Sequence, residues 1–287
     1  MTVNDRKRQI AGGARGQRGY ARTGSSRHVI NACVMFMALM SATAPLGAAE
    51  ETPSLSATEI MDLVRTNLPD VPVAMSGQLR SGPLQGGFKH KYYVEIAWDF
   101  GRRPMTADYV LRDQFGGILE QLYVLRHGPT DVDVRYAPGT QPVSGKLPPA
   151  NENIQATDVA WSDLTLSFLW WPTARLIGRD TFRGRDCLVV ELIPPETPAA
   201  NAADSVLPET RRLWVDEKLF VFLQMEVRLA GQPARRMITR SFKKINDQWM
   251  VKDLEIRAIG LSHRSLLQIE DVKIQEQEAP AAATVEH

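Results

Sequence analysis

Residues 211–216, 219–229, 234–245, 249–259 and 262–274 read as five strands in close succession. The links between them, Glu217-Lys218, Gly231-Gln232, Asn246-Asp247-Gln248 and Gly260-Leu261, are too short for parallel neighbours. A parallel crossover needs about a dozen residues or more, so these strands form an antiparallel meander. In the second of them Leu219, Val221, Leu223, Met225, Val227 and Leu229 are predicted to share one face. The last carries Leu267 and Ile269 in one phase and Val272 and Ile274 in the other, which predicts a bulge and a bend between them.

The chain upstream obeys the same two-residue period. Tyr92, Val94, Ile96, Trp98 and Phe100 alternate with Tyr93, Glu95, Ala97 and Asp99, so one face of that strand is buried and the other wet. A strand over 105–114 follows, with Ala107, Tyr109 and Leu111 on its apolar side, and Gly116-Gly117 turns it into 118–126. Ser56 and Glu59 have the spacing of a capping box, which predicts a helix with Ile60, Leu63, Val64 and Leu68 on one face, ended by Pro69. Residues 128–156 and 194–208 read as long loops.

Between those loops the periodicity changes. Trp161, Leu164, Phe168 and Trp171 recur at helical steps, with Thr157 and Asp158 ahead of them as a cap and Pro172 as a stop. A hairpin follows, with its first arm over 176–182, its turn at Arg183-Gly184-Arg185, and its second arm carrying Leu188, Val190 and Leu192. An aromatic helical stripe usually completes a core. Leu169-Trp170-Trp171, however, makes this helix apolar on more than one side, which leaves surface for a ligand or a partner. Together the elements predict a mainly β, α+β fold: one curved antiparallel sheet of about 10–11 strands with helices over its concave side. A long loop before the helix and a proline after it suggest that the cover can swing.

Charge and cysteine usage narrow the function. Seven basic residues between Arg6 and Arg27 precede an uncharged run over 29–46 and the small residues Gly47-Ala48-Ala49, the pattern of a Sec signal peptide spanning 1–49. A soluble periplasmic domain over 50–275 and a loose tail over 276–287 are expected to follow. Without the leader the net charge falls to −5. Arg211-Arg212, Arg235-Arg236 and Lys243-Lys244 are too scattered for a nucleic-acid face, and are expected on strand edges and solvent faces. Cys187 is alone once the leader is removed, so a packed core and not a disulfide must carry stability. His90, His127 and His263 lack metal-ligand spacing, and no nucleophile–base pair stands out. No catalytic residue, metal or cofactor is therefore expected.

The series Asp163-Leu164, Phe168-Leu169-Trp170-Trp171, Gly184-Arg185-Asp186-Cys187, Leu213-Trp214-Val215-Asp216 and Trp249-Met250-Val251-Lys252 resembles the outer-membrane lipoprotein-sorting family, the LolA/LolB-like group, over most of 55–275. The resemblance implies an incomplete β-barrel lidded by helices, whose apolar cavity shields acyl chains on the way to the outer membrane. It also implies a non-enzymatic monomer that works between an inner-membrane donor complex and an outer-membrane acceptor. A sensing or scaffold module on the same fold is the alternative. Tyr92, Val94, Ile96, Trp98, Tyr109, Leu111, Val221, Leu223 and Met225 are the candidate cavity lining, and Phe168, Leu169, Trp170 and Trp171 the candidate lid. The family's lid latch is an arginine on an early strand, for which Arg80, Arg102, Arg103 and Arg112 are the candidates.

Overall fold

A computed structural model of the chain describes residues 55–140, 152–195, 209–245 and 248–274. The expected leader, its cleavage point and the expected tail lie outside these residues, as does most of the 194–208 loop. Among the described residues the sheet has twelve strands in the order β5-β4-β3-β2-β1-β12-β11-β10-β9-β8-β7-β6, every neighbour antiparallel. In chain order these are β1 Val73–Pro83, β2 His90–Asp99, β3 Met105–Arg112, β4 Ile118–Arg126, β5 Val132–Pro138, β6 Thr173–Phe182, β7 Arg185–Ile193, β8 Glu209–Asp216, β9 Phe222–Leu229, β10 Gln232–Ile245, β11 Gln248–Ala258 and β12 His263–Ile274. Two meanders, β1–β5 and β6–β12, are joined through the β1–β12 ladder. The sheet does not close, because β5 and β6 remain its two edges.

Helix α1, Ala57–Thr66, carries the expected capping box: Glu59 N–H donates to Ser56 Oγ at 3.2 Å and Ser56 N–H to Glu59 Oε2 at 2.7 Å. Ile60, Met61 and Val64 are buried in the main core together with Val94, Ile96, Tyr109 and Leu111 from the sheet. The Asn67 amide donates to the carbonyls of Leu219 and Phe220 at 2.8 and 3.1 Å, which ties the end of α1 to the β8–β9 turn.

The segment between the edges departs from the sequence reading. Residues 132–138, read as loop, form β5, and Val132, Val134 and Tyr136 pack on the core at the expected two-residue period. The single helix predicted from Trp161 to Trp171 is instead two short turns: α2, Trp161–Leu164, and a 3-10 turn, Ser167–Trp170. Leu166 breaks the helix between them by adopting a left-handed backbone, φ 49°. The cap position is Ala160, whose N–H donates to Asp163 Oδ2 at 3.0 Å, and not Thr157 or Asp158. The β6–β7 turn is the two-residue Arg183-Gly184, with φ values of 51° and 75°, as a type I′ hairpin requires.

Bulges decide two further faces. The predicted bulge in the last strand is present: pairing with β1 steps from Asp271 to Ile269 and skips Glu270. There β1 carries Gly77, where a Cβ would lie 2.1 Å from the Gln268 carbonyl oxygen, so only glycine permits this approach. The second bulge corrects an expectation. Between β8 and β9 the register skips Leu223, so Phe222 turns to the main core beside Met225 and Val227. Val221 and Leu223 instead join Cys187, Val189 and Trp214 in a separate small cluster, and are not on the face of Met225. Cys187 is buried there, and burial pushes its thiol up, as suits a packing residue.

At the end of β8, Asp216 accepts from Lys218 N–H at 2.9 Å, from Leu219 N–H at 2.8 Å and from the Arg185 guanidinium. Burial opposes its ionisation, but Arg185 and the two amides outweigh it and hold the carboxyl below its usual 3.8. A depressed folded-state pKa stabilises the fold above the unfolded value and is lost as the pH falls through the folded one. Melting temperature should therefore fall on acidification below pH 3.8, and Asp216→Asn should flatten that limb. An unchanged acid limb in the variant would rule out this contribution.

Candidate functional site

An apolar cavity of about 90 Å³ lies under the insert between β5 and β6 that holds α2 and the 3-10 turn, against β1, β2, β9, β11 and β12. Met75 and Ile96 form its floor, with Trp98 beside them; Leu164 and Leu166 close it from the insert, and Leu68 and Pro69 from the end of α1. Trp249, Met250, Val251 and Lys252 of β11 border it with Ile269 of β12. The volume is well below the ~300–1,000 Å³ of pockets that hold drug-sized ligands.

Of the residues selected from sequence, Ile96 and Trp98 line this cavity. Val94, Tyr109, Leu111 and Met225 are buried in the surrounding core, with Tyr92 packed against it. Phe168 and Leu169, in the 3-10 turn, are fully buried in the core, whereas Trp170 and Trp171 are only half-buried, and none of the four lines the cavity. Trp170 faces a second, polar-rimmed groove of about 630 Å³ with Arg65, Phe100, Arg103 and His127. The groove shares Leu68 and Pro69 with the cavity. Trp249 to Lys252 were missed as lining, although the resemblance had already drawn on them.

The insert is fastened. Asp163, 1% exposed, meets two buried arginines: Arg211 Nη1 at 3.3 Å and Arg235 Nε at 2.9 Å. Arg211 also pairs with Glu209 at 2.9 Å, donates to the Ser162 carbonyl at 3.3 Å and stacks over the Phe168 and Trp171 rings at 4.9 and 5.6 Å. On the other flank Glu120 accepts from Trp161 Nε1 at 2.8 Å, Gln155 Nε2 at 2.6 Å and the Tyr136 hydroxyl at 3.0 Å. Burial first, and the Glu120 charge with it, push the Tyr136 phenol up to about 12. Tyr109 accepts from Trp98 Nε1 at 3.1 Å and donates to the Leu164 carbonyl at 3.2 Å, and burial holds its phenol far above the usual range. Asp158 completes the set, accepting from Ser265 Oγ at 3.0 Å and lying 2.7 Å from His263 Nδ1.

The latch thus sits on late strands. Arg211 and Arg235 were expected at the solvent, yet both share an inward phase, Arg211 with Leu213 and Val215, Arg235 with Met237 and Thr239. The early-strand candidates are engaged elsewhere: Arg80 with Gln268 and the Phe88 ring, Arg102 with Asp99, Arg103 with the Phe100 carbonyl, and Arg112 with Glu95. Asp163 bound from two strands and Glu120 on the opposite flank pin the cover in this conformation, so opening it would have to break buried polar contacts. Among the described residues no cluster of three potential metal-binding side chains occurs, and no helix is long and apolar enough to cross a membrane.

This architecture is shared by solved structures. A DUF1329 family protein from Desulfovibrio piger superposes with TM-score 0.61 at 12% identity, covering 77% of this chain and 94% of that one. A LolA superfamily protein from Nitrosomonas europaea gives TM-score 0.58 at 13% identity, over 78% of this chain and 96% of the other. The chain shares the fold of these two solved structures. A domain from Vibrio parahaemolyticus assigned to outer membrane lipoprotein sorting has this LolA-like fold too, with TM-score 0.60, 12% identity and coverage of 76% and 92%. At these identities the likeness establishes the LolA-like fold and nothing finer. A family model described as an uncharacterized protein matches residues 143–280, and no curated protein matches by sequence.

Proposed function

We propose that the chain is a periplasmic carrier that shields the acyl chain of a lipid or lipoprotein in its apolar cavity during transfer towards the outer membrane. The supporting observation is an almost wholly apolar cavity on the inner face of an unclosed antiparallel sheet. Each methylene kept from water there contributes ~0.8 kcal/mol. The sheet architecture shared with a domain assigned to lipoprotein sorting points the same way. The donor and acceptor are membrane complexes that present and receive the acylated end. The small closed volume and the pinned cover favour one second reading, a scaffold module that binds a protein partner without moving lipid.

Native mass spectrometry of the protein purified after periplasmic expression, followed by lipid extraction, separates the two. Carriage predicts mass adducts that resolve into acyl-containing species. A homogeneous apo mass, together with no binding of a fluorescent fatty acid, rejects carriage and leaves the scaffold reading.

A further inference from the structure

We infer that an acyl chain reaches the cavity through a seam between β11 and β12, leaving an anionic head at the lysines of its mouth, and not by lifting the cover. The inference rests on the carrier reading. β11 and β12 are paired over only four positions, from Asp253↔Gln268 to Ile256↔Ser265. Beyond that point each strand follows its other neighbour: β11 stays on β10 as far as Gln248↔Ile245, and β12 stays on β1 as far as Ile274↔Val73. No pairing joins 248–252 to 269–274.

The split has a local cause on both sides. Pairing of β11 with β10 skips Lys252, the residue next to Asp253 at the end of the short ladder, and pairing of β12 with β1 skips Glu270, two residues past Gln268 at that same end. Bulges terminate pairing and bend the strands that carry them, so this pair parts the two strands.

The parted edges border the cavity. Trp249, Met250, Val251 and Lys252 line it from one side and Ile269 from the other. Trp249 is 41% exposed, and the Lys244 ammonium lies 6.0 Å from its ring centroid. An aromatic ring beside the Lys244 ammonium, with Lys252 on the same cavity border, suits the junction between an apolar tail and an anionic head. Widening the seam breaks no ladder hydrogen bond and enlarges a cavity that is too small as it stands. Lifting the cover would instead strip Asp163 from two buried guanidiniums.

The test is stopped-flow binding of a fluorescent fatty acid to the full chain in a Cys33→Ser background. Lys252→Cys with Glu270→Cys, bridged by a short bismaleimide, should slow association by about tenfold or more relative to the unbridged variant. Equal rates with and without the bridge overturn the seam while leaving carriage intact. Absence of binding to the wild type overturns carriage itself, and the seam with it.

A second measurement needs no bridge. Quenching by stearates carrying a nitroxide near the carboxylate or near the methyl end is compared in wild type and Trp249→Phe. The signal lost with Trp249 should be large for the carboxylate-end label and small for the methyl-end label. The reverse order, or no Trp249 component, overturns the inference. An N-acylated peptide run alongside tells lipoprotein tails from free fatty acids by which of them binds, and whichever binds should show the same dependence on the bridge. Binding of the unacylated peptide with no response to acyl probes overturns it.

Discussion

An Asp163→Ala variant is expected to unfold roughly 6–20 °C below the wild type, the shift that ~3–5 kcal/mol produces in a domain of this size. Asp163 is 1% exposed and is the common partner of Arg211 and Arg235, besides accepting from Ala160 N–H at the start of α2. Removing it leaves two guanidiniums in the core with one counter-charge lost. The cost is less the lost attraction than the stranded charges. Thermal melts of Asp163→Ala, Arg211→Ala and the double variant check the account. Strong coupling should make the double variant less damaging than the sum of the singles. A melting point for Asp163→Ala within a degree or so of wild type would show that the latch carries no stability.

The second large effect separates packing from gating within one short turn. Phe168 is fully buried, edge-on to Phe222 at 6.3 Å and beneath the Arg211 guanidinium. Phe168→Ala should therefore cost ~3–5 kcal/mol. Trp170 is half-buried at the groove, edge-on to Phe100 at 5.5 Å and under Arg126 at 4.9 Å, so Trp170→Ala should cost only about 1–2 kcal/mol of lost burial. Because Trp170 does not line the cavity, its removal should leave fatty-acid affinity unchanged. Wild-type stability with abolished binding in Trp170→Ala would restore a swinging lid.

Much of this was legible in the chain, and the failures have physical causes. The ladders β2–β3 and β3–β4 follow from simple alternation, and β4 spans the predicted 118–126. The Ser56–Glu59 capping box was equally plain, since it depends on two side chains three residues apart. β5 was hidden by the prolines and glycines around it, though Val132, Val134 and Tyr136 keep the period. Arg211 and Arg235 were misplaced because charge was weighted over phase: a strand that turns Leu213 and Val215 inward turns Arg211 inward too. The facing of Val221 and Leu223 could not be read, since a bulge inserts a residue without any fixed sequence signature. Nor could the break at Leu166, where a non-glycine residue is held left-handed by its surroundings.

The pairing of β1 with β12 also sets an order of assembly. Val73 meets Ile274, so the ladder at the middle of the sheet joins segments about two hundred residues apart, whereas every other ladder joins strands next to each other in the chain. Each meander can zip locally, but the two halves cannot be united until the last strand has been delivered. A chain emerging from a ribosome or a translocation pore would carry β1 with one edge vacant throughout. Deleting 263–274 should therefore leave two unjoined half-sheets, and not a shortened version of the same molecule.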